Sequence, residues 1–400
     1  MPVTAWLDIV GIGEDGMDAL TPAARAVVEA AEVIIGGDRH HALSPNVTAR
    51  RLSWPSPFDA MIDEIRAHRG QRLVILVTGD PLWYSVGARI LRAIPADQVT
   101  FHPQISAFQW AACRMGWSLA DVETLTVHGR PVEQAIPFFA PGVRLLMLTR
   151  DGGTPGEVAV LLTEAGLGDS RLTVLGALGG PRESRVDGVA KAWAADSPDF
   201  NTLAVECVVT PGARVLPRGP GLPDDAFEHD GKMTKQEVRA LTLARLAPRR
   251  GAVLWDVGCG CGSVAVEWLR LARDGVAVGI EPLAGRRAMA ARNAQRLGAP
   301  RLQLIEGRAP EALDGLPRPD AVFLGGGLSD AAIDAAVAAL TPAGRLVANA
   351  VTLESEALLI AAHARLGGTL TRLQVSRAEP VGPFRGWKPM MPVTQWVWAK

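Results

Sequence analysis

The stretch Asp256-Val257-Gly258-Cys259-Gly260-Cys261-Gly262 restricts the possible folds of this chain more than any other. It closes an apolar run at 253–257, short enough for a buried strand, and opens into an amphipathic pattern over 263–272. Alternate glycines let the backbone turn tightly and approach a ligand where a Cβ would intrude. The next apolar run, 276–280, ends at Glu281, a carboxylate placed to accept both hydroxyls of a ribose. Strand, glycine turn, helix and acid in this order predict a doubly wound α/β sheet with a nucleoside-bearing ligand at the strand ends. The spacing lacks the third-glycine offset of the dinucleotide fingerprint, and the acid at its head, Asp256, can meet an ammonium group.

Alternation around that loop is regular. Strands are expected at 253–257, 276–280, 302–305, 321–324, 345–350, 370–375 and 394–398, with helices at 263–272, 284–297 and 330–340. Seven strands in this order suit a Rossmann-like sheet with an antiparallel hairpin closing one edge. Upstream, strands are expected at 7–10, 33–35, 72–77, near 101, and at 144–148, 171–175 and 202–209. Helices are expected after a Thr21 cap with Pro22 in its first turn, and at 84–91, 105–115 and 156–164. The pattern predicts mostly parallel sheets in two α/β lobes, about 1–105 and 106–210, with a cleft between them. Residues 211–227 are rich in Pro and Gly and read as a linker, leaving 228–400 as the second domain.

Composition bears on partners. A net charge of −1 argues against nucleic acid as a partner. Only five of the 41 basic residues are lysine, and arginine forks suit bidentate capture of carboxylates. The four cysteines are too scattered for a disulfide framework, and Cys259 and Cys261 have no neighbouring His or Cys to complete a zinc set, so no metal is expected. No apolar stretch approaches the roughly 20 residues of a membrane helix. No leader is read at the N-terminus, so the expected address is cytoplasmic, with no membrane partner.

The first half carries its own turns at strand ends: Gly11-Ile12-Gly13, Gly36-Gly37-Asp38-Arg39-His40-His41, Thr78-Gly79-Asp80-Pro81, and Ile105-Ser106 at a helix start. Open parallel sheets bind ligands at that edge. His40 and His41 are adjacent and point apart, which argues against joint metal ligation. Arg39 with one of them suits a substrate carboxylate. Tyr84, beside Trp83, reads as lobe packing with a possible ligand contact.

These motifs resemble two families. Asp256–Gly262 with Glu281 is similar to the first motif of seven-stranded S-adenosylmethionine methyltransferases. With His229–Lys235, Gly307–Leu313 and Phe323–Gly327, the half from about 225 resembles the C15-methylating, decarboxylating enzymes of corrin synthesis. The ordered turns of residues 5–210 resemble the tetrapyrrole methylase superfamily, in its C5-methylating corrin branch, with Pro103-Gln104 where many members have Pro-Gly. The resemblance implies one S-adenosylmethionine site per domain. It places Gly11, Gly79, Asp80, Pro81 and Ser106 at the first, and Thr234, Asp256, Gly258, Gly260, Gly262, Glu281 and Ala309 at the second. It further implies a fused enzyme that methylates C5 with its N-terminal domain and C15 with its C-terminal domain. The substrate would be precorrin-6Y/6B, which would lose the ring C acetate carboxyl and give precorrin-8.

The amine-methylating signature Asn/Asp-Pro-Pro-Tyr/Phe is missing, since the fourth strand of the second domain runs into Gly325-Gly326-Gly327, so carbon is the expected acceptor. Such chemistry asks for alignment and exclusion of water, and no catalytic dyad is expected. Arg39, Lys232, Lys235, Arg385 and Lys388 are the residues expected to dock a polycarboxylate tetrapyrrole. Related modules commonly self-associate, which implies a homo-oligomer. The competing readings are an RNA or protein acceptor, unsupported by any basic patch with interleaved aromatics, and a non-catalytic nucleotide-binding scaffold, which leaves both glycine systems unexplained.

Overall fold

The computed structural model describes residues 5–400. They form two compact units, one containing the described residues up to Val132 together with Pro141–Ala213, the other containing Glu133–Ala140 and Arg214–Lys400.

The first unit holds two five-stranded sheets. β1 (Leu7–Ile12), β2 (Val33–Gly36), β3 (Arg50–Ser53), β4 (Leu73–Thr78) and β5 (Val99–His102) lie in the order β3-β2-β4-β1-β5, every pair parallel. β2 and β4 are near-continuous apolar runs because both faces are covered, as a parallel sheet requires. The Thr21 hydroxyl accepts from the Ala24 N–H and starts the helix Pro22–Glu29. The helix expected at 84–91 shrinks to Gly87–Ile90, because Tyr84 sits at φ +53, which no α-helix can include.

The second sheet comprises β6 (Glu123–Thr126), β7 (Arg144–Leu148), β8 (Arg171–Gly176), β9 (Ser184–Val189) and β10 (Asn201–Glu206), ordered β6-β7-β10-β8-β9. Here the expectation of mostly parallel strands fails. Only β6 and β7 are parallel; β10 runs against both neighbours, and β9 against β8. Residues 177–183 between β8 and β9 are too few for a crossover, so the chain must turn back on itself.

In the second unit β11 (Val253–Val257), β12 (Val276–Ile280), β13 (Leu302–Ile305), β14 (Ala321–Leu324), β15 (Arg345–Ala350) and β16 (Thr369–Leu373) share a sheet with β19 (Val393–Ala399). The order is β13-β12-β11-β14-β15-β19-β16, the first five parallel and β19 antiparallel to both neighbours. This is a doubly wound seven-stranded sheet. Side chains alternate between two cores: Trp255, Val257, Val278, Ile280, Val322 and Leu324 face one, Leu254, Ala277, Ala321, Phe323 and Val347 the other. A separate hairpin, β17 (Ser376–Val381) with β18 (Phe384–Pro389), was not anticipated.

The expected linker is only partly irregular. Leu222 and Phe227 are buried in the second unit's core, and the N–H groups of Gly221 and Leu222 donate to the buried Glu267 carboxylate. A proline-rich composition excludes regular ladders but not side-chain anchoring. Among the described residues no helix is long and apolar enough to cross a membrane.

Candidate functional site

In the second unit the glycine loop is built by positive φ. Gly258, Gly260 and Gly262 adopt φ of 71°, 57° and 77°, the left-handed region that side chains avoid. Gly258 also packs on backbone, for a Cβ there would lie 2.7 Å from the Gly326 Cα. The three glycines after β14 therefore serve as the wall against which the loop closes. Its start is pinned to the end of β12, with Gly258 N–H and Cys259 N–H donating to the Ile280 carbonyl.

Two buried carboxylates face this loop. Glu281 accepts from the Gly260 N–H and the Leu283 N–H, each at 3.1 Å. Asp256 is 1 % exposed; its Oδ2 accepts from the Ala265 N–H at 3.0 Å, while its Oδ1 is buried without a partner. Burial, reinforced by repulsion from Glu281, pushes the Asp256 carboxyl up to about 7. Burial also raises the Cys259 and Cys261 thiols, which keeps them protonated and poor as ligands or nucleophiles. An orphaned carboxyl oxygen beside a carboxylate, at a loop stripped of side chains, fits a cationic ligand bearing a ribose.

Residues 228–235 lie across the loop, bringing the Lys232 carbonyl within 3.7 Å of where a Gly260 Cβ would be. Two residues that the sequence reading passed over hold them there. Asn293 is wholly buried; it accepts from the Glu228 N–H and donates to the carbonyls of Glu228 and Cys261, stitching this segment to the glycine loop. Arg239, also wholly buried, donates to the carbonyls of Thr234 and Leu222, to Glu267 and to Asp224. Their partners lie 5 to 65 residues away in the sequence, so no local pattern marked either residue.

Of the other expected residues, Thr234 sits in this segment with its carbonyl held by Arg239, and Ala309 packs against the sheet core. Lys232 is exposed, and Lys235 stands immediately before the helix Gln236–Leu246 without a side-chain capping bond. Arg385 and Lys388 both lie on β18, but three residues apart, so they point to opposite faces of the hairpin, and Lys388 is paired with Glu379 at 2.8 Å. A joint grip by these two on one carboxylate is excluded.

In the first unit the expected residues of one turn stack directly on those of another. A Cβ on Gly11 would overlap the Gly79 carbonyl, and one on Gly79, at φ +62, would lie 2.9 Å from the Ser106 Cα. Gly11, Gly79 and Ser106 thus converge at the carboxyl ends of β1 and β4. Asp80 accepts from the Leu82 N–H at 2.7 Å, and the Pro81 carbonyl accepts from Gly87 N–H. Ser106 caps the helix Ala107–Met115 by accepting from the Gln109 N–H, so its acceptor role goes to the helix end while its O–H can still donate. Tyr84 and Trp83 pack against Phe108, and the Tyr84 hydroxyl donates to the Thr124 carbonyl.

Arg39 is not waiting for a partner. It is ion-paired with Glu14, donates to Thr78 and stacks its guanidinium on the Phe200 ring at 4.2 Å. Its neighbour His40 accepts from the Gly37 N–H through Nδ1, so the proton is on Nε2, which donates to Thr78 at 3.0 Å. Burial first, then the Arg39 and His41 charges, lower His40 to about 4, so it is neutral near pH 7. His41 points elsewhere, to the Leu52 carbonyl.

Comparison with known proteins agrees with the two halves of this geometry. Residues 7–193 match a family profile described as tetrapyrrole (corrin/porphyrin) methylases, and residues 225–400 one described as a precorrin methyltransferase domain. The precorrin-6Y C(5,15)-methyltransferase [decarboxylating] of Sinorhizobium sp is 46 % identical over 401 residues, spanning 100 % of this chain and 97 % of the relative. The chain belongs to the precorrin-6Y C5,15-methyltransferase (decarboxylating) family. A second member, from Mycobacterium tuberculosis (strain CDC 1551 / Oshkosh), is 43 % identical over 97 % of this chain and 98 % of its own. The crystal structure of the C-terminal domain of precorrin-6Y C5,15-methyltransferase from Rhodobacter capsulatus is 50 % identical, covering 46 % of this chain and 99 % of that one, with a TM-score of 0.44. For a member of this family, the carbon acceptor and tandem fusion expected from sequence follow directly.

Proposed function

We propose that each half, 1–210 with its two lobes and 228–400 beyond the 211–227 segment, holds its own S-adenosylmethionine. The first half transfers a methyl to C5 and the second to C15 of precorrin-6Y/6B, and the second also releases the ring C acetate carboxyl as carbon dioxide to give precorrin-8. When bound, the sulfonium donor supplies the activated methyl. The chain's own residues bind, orient and exclude water.

The observation that carries the reading is the pair of buried carboxylates at the second glycine loop. Glu281 is already aligned by two N–H groups and Asp256 keeps one oxygen unused. Ribose hydroxyls and an ammonium group suit these two acceptors, with Gly258, Gly260, Gly262, Thr234 and Ala309 completing the cradle. The stack of Gly11, Gly79 and Ser106, with Asp80 and Pro81, supports a second and independent cradle. Lys232, Lys235, Arg385 and Lys388 remain the cations for substrate carboxylates, Arg385 and Lys388 acting from opposite faces of their hairpin, whereas Arg39, held by Glu14, Thr78 and Phe200, is the anchor beside which a substrate carboxylate would sit. The chain is further read as a cytoplasmic homo-oligomer. Val381 and Phe384 on one face of that hairpin, Trp387 on the other and Met391 beside it are each at least 63 % exposed, and this apolar surface favours self-association.

Equilibrium binding of S-adenosylhomocysteine to the whole chain tests the two-site reading. The expected stoichiometry is two, falling to one in Gly258→Val and to one in Gly79→Val. A wild-type stoichiometry of one, or loss of both sites in either variant, would defeat it.

A further inference from the structure

Glu14 occupies an unusual place between the two lobes of the first unit. It follows the Gly11-Ile12-Gly13 turn, and its side chain is only 6 % exposed. The turn between β8 and β9 lies on top of it, because Gly180 has no Cβ; one built there would be 2.5 Å from the Glu14 Cβ. That contact brings Arg182 of the second lobe to the same carboxylate that Arg39 of the first lobe holds. The Arg182–Glu14 separation is 3.8 Å, and the Arg182 side chain is 82 % exposed.

The two ion pairs are unequal. Arg39 is fixed on three sides by Glu14, Thr78 and the Phe200 ring. Arg182 is a long, solvated pairing of the kind that contributes little and is readily given up. Around it Glu183 is paired with Arg114 and accepts from the Gly179 N–H, while the Asp15 carboxyl lies against Gly13 with its Oδ1 buried and without a hydrogen-bond partner. Two guanidiniums share the one Glu14 carboxylate, so the arrangement can take a second carboxylate.

We propose that Arg182, opposite an Arg39 stacked on Phe200, is a subsite for one peripheral carboxylate of the substrate, and that Glu14 occupies Arg182 until that carboxylate replaces it. The proposal rests on the reading that the first unit methylates a polycarboxylate tetrapyrrole. It adds the specificity residue: an exposed fork that trades a weak internal ion pair for a bidentate external one. Glu14 keeps Arg182 close to Arg39 and remains on Arg39 after the exchange.

The whole chain tests this with isotope-labelled methyl donor, so that the C5 and C15 methyls are read separately by NMR. Arg182→Ala should raise the apparent KM for C5 methylation by about tenfold, the loss of a charge-assisted hydrogen-bonded pair, with its kcat and the whole C15 step unchanged. Arg182→Lys should restore part of it. On the fully methyl-esterified substrate, which offers no carboxylate, wild type and Arg182→Ala should have the same KM. Glu14→Gln should lower the KM for the acid substrate, since the internal competitor has lost its charge. An unchanged KM in Arg182→Ala, an equal rise on the ester, or a raised KM in Glu14→Gln would overturn the exchange. A wild-type chain that never methylates C5 would instead remove the underlying reading, and the subsite with it.

Discussion

Asp256 makes the second unit's ligand binding depend on pH, and the sign can be worked out. An unfolded aspartate titrates near 3.8, whereas the folded one is pushed up to about 7. Between those values the folded protein holds a proton that the unfolded chain releases, so stability without ligand falls as pH rises through that interval. A cationic ligand reverses the preference, because its ammonium group favours the ionised carboxylate. S-adenosylhomocysteine should therefore bind the second unit more tightly as pH rises from about 6 to about 8, and Asp256→Asn should flatten that dependence. Calorimetric titrations across the range decide it, and a flat wild-type profile would refute the role given to Asp256. The glycines offer a sharper contrast. Gly260→Ala meets nothing closer than 3.7 Å and suffers only its φ of +57°, about 1–2 kcal/mol, whereas Gly258→Ala adds a backbone clash with Gly326. Thermal melts should rank Gly258→Ala as the more destabilised, and equal losses would contradict the wall that Gly326 provides. Such glycines are legible in a sequence because the constraint sits in one residue. Asn293 and Arg239 were not, because their partners lie up to 65 residues away and no local pattern announces them.

Secondary-structure elements were legible to the degree that both their faces are buried. The runs in β2, β4, β11 and β14 are almost uniformly apolar, and a strand with core on both sides can hardly be mistaken. Direction was not written there: β8 and β10 are as buried as their counterparts, yet β10 runs antiparallel to β8. The hairpin β17–β18 was hidden for the opposite reason. Pro380, Pro383 and Pro389 read as strand breakers, but a two-stranded ribbon has open edges that need no N–H. Arg377 ties that hairpin to Asp224 and Glu237, at 3.0 and 2.7 Å, and Asp224 in turn meets the buried Arg239. Breaking a wholly buried pair leaves one charge uncompensated. Glu267→Gln should thus destabilise the second unit by about 3–5 kcal/mol, while Lys388→Gln, on an exposed pair, should be silent in the same denaturant titration. A small loss in Glu267→Gln would mean that Arg239 is satisfied by carbonyls alone. Trp387→Ser with Phe384→Ser should lower the oligomeric state in sedimentation without lowering Tm, since both rings are more than three-quarters exposed.

At the scale of the molecule, the question is how two chemistries are apportioned along one chain. Each unit has its own sheets, its own core and its own glycine turns at strand ends, and neither glycine system borrows a residue from the other. If ligand binding follows that separation, damage to one system should leave the other working. Gly79→Val puts a branched side chain against the Ser106 backbone at a φ of +62°, and Gly258→Val does the same against Gly326 at +71°. Given the tetrapyrrole and the methyl donor, the Gly79→Val chain should add one methyl, at C15, and release carbon dioxide. The Gly258→Val chain should add at most one methyl, at C5, and release none. Mass spectrometry of the products, with trapped carbon dioxide counted alongside, separates the possibilities. If the Gly79→Val chain methylates C15 but keeps the acetate carboxyl, decarboxylation needs the first unit, and the division of labour between the halves has to be redrawn. If the Gly258→Val chain makes no product, C5 methylation depends on a product of the second unit. The two glycine systems would then be sequential stations on one substrate, and supplying the C15-methylated intermediate should restore its activity.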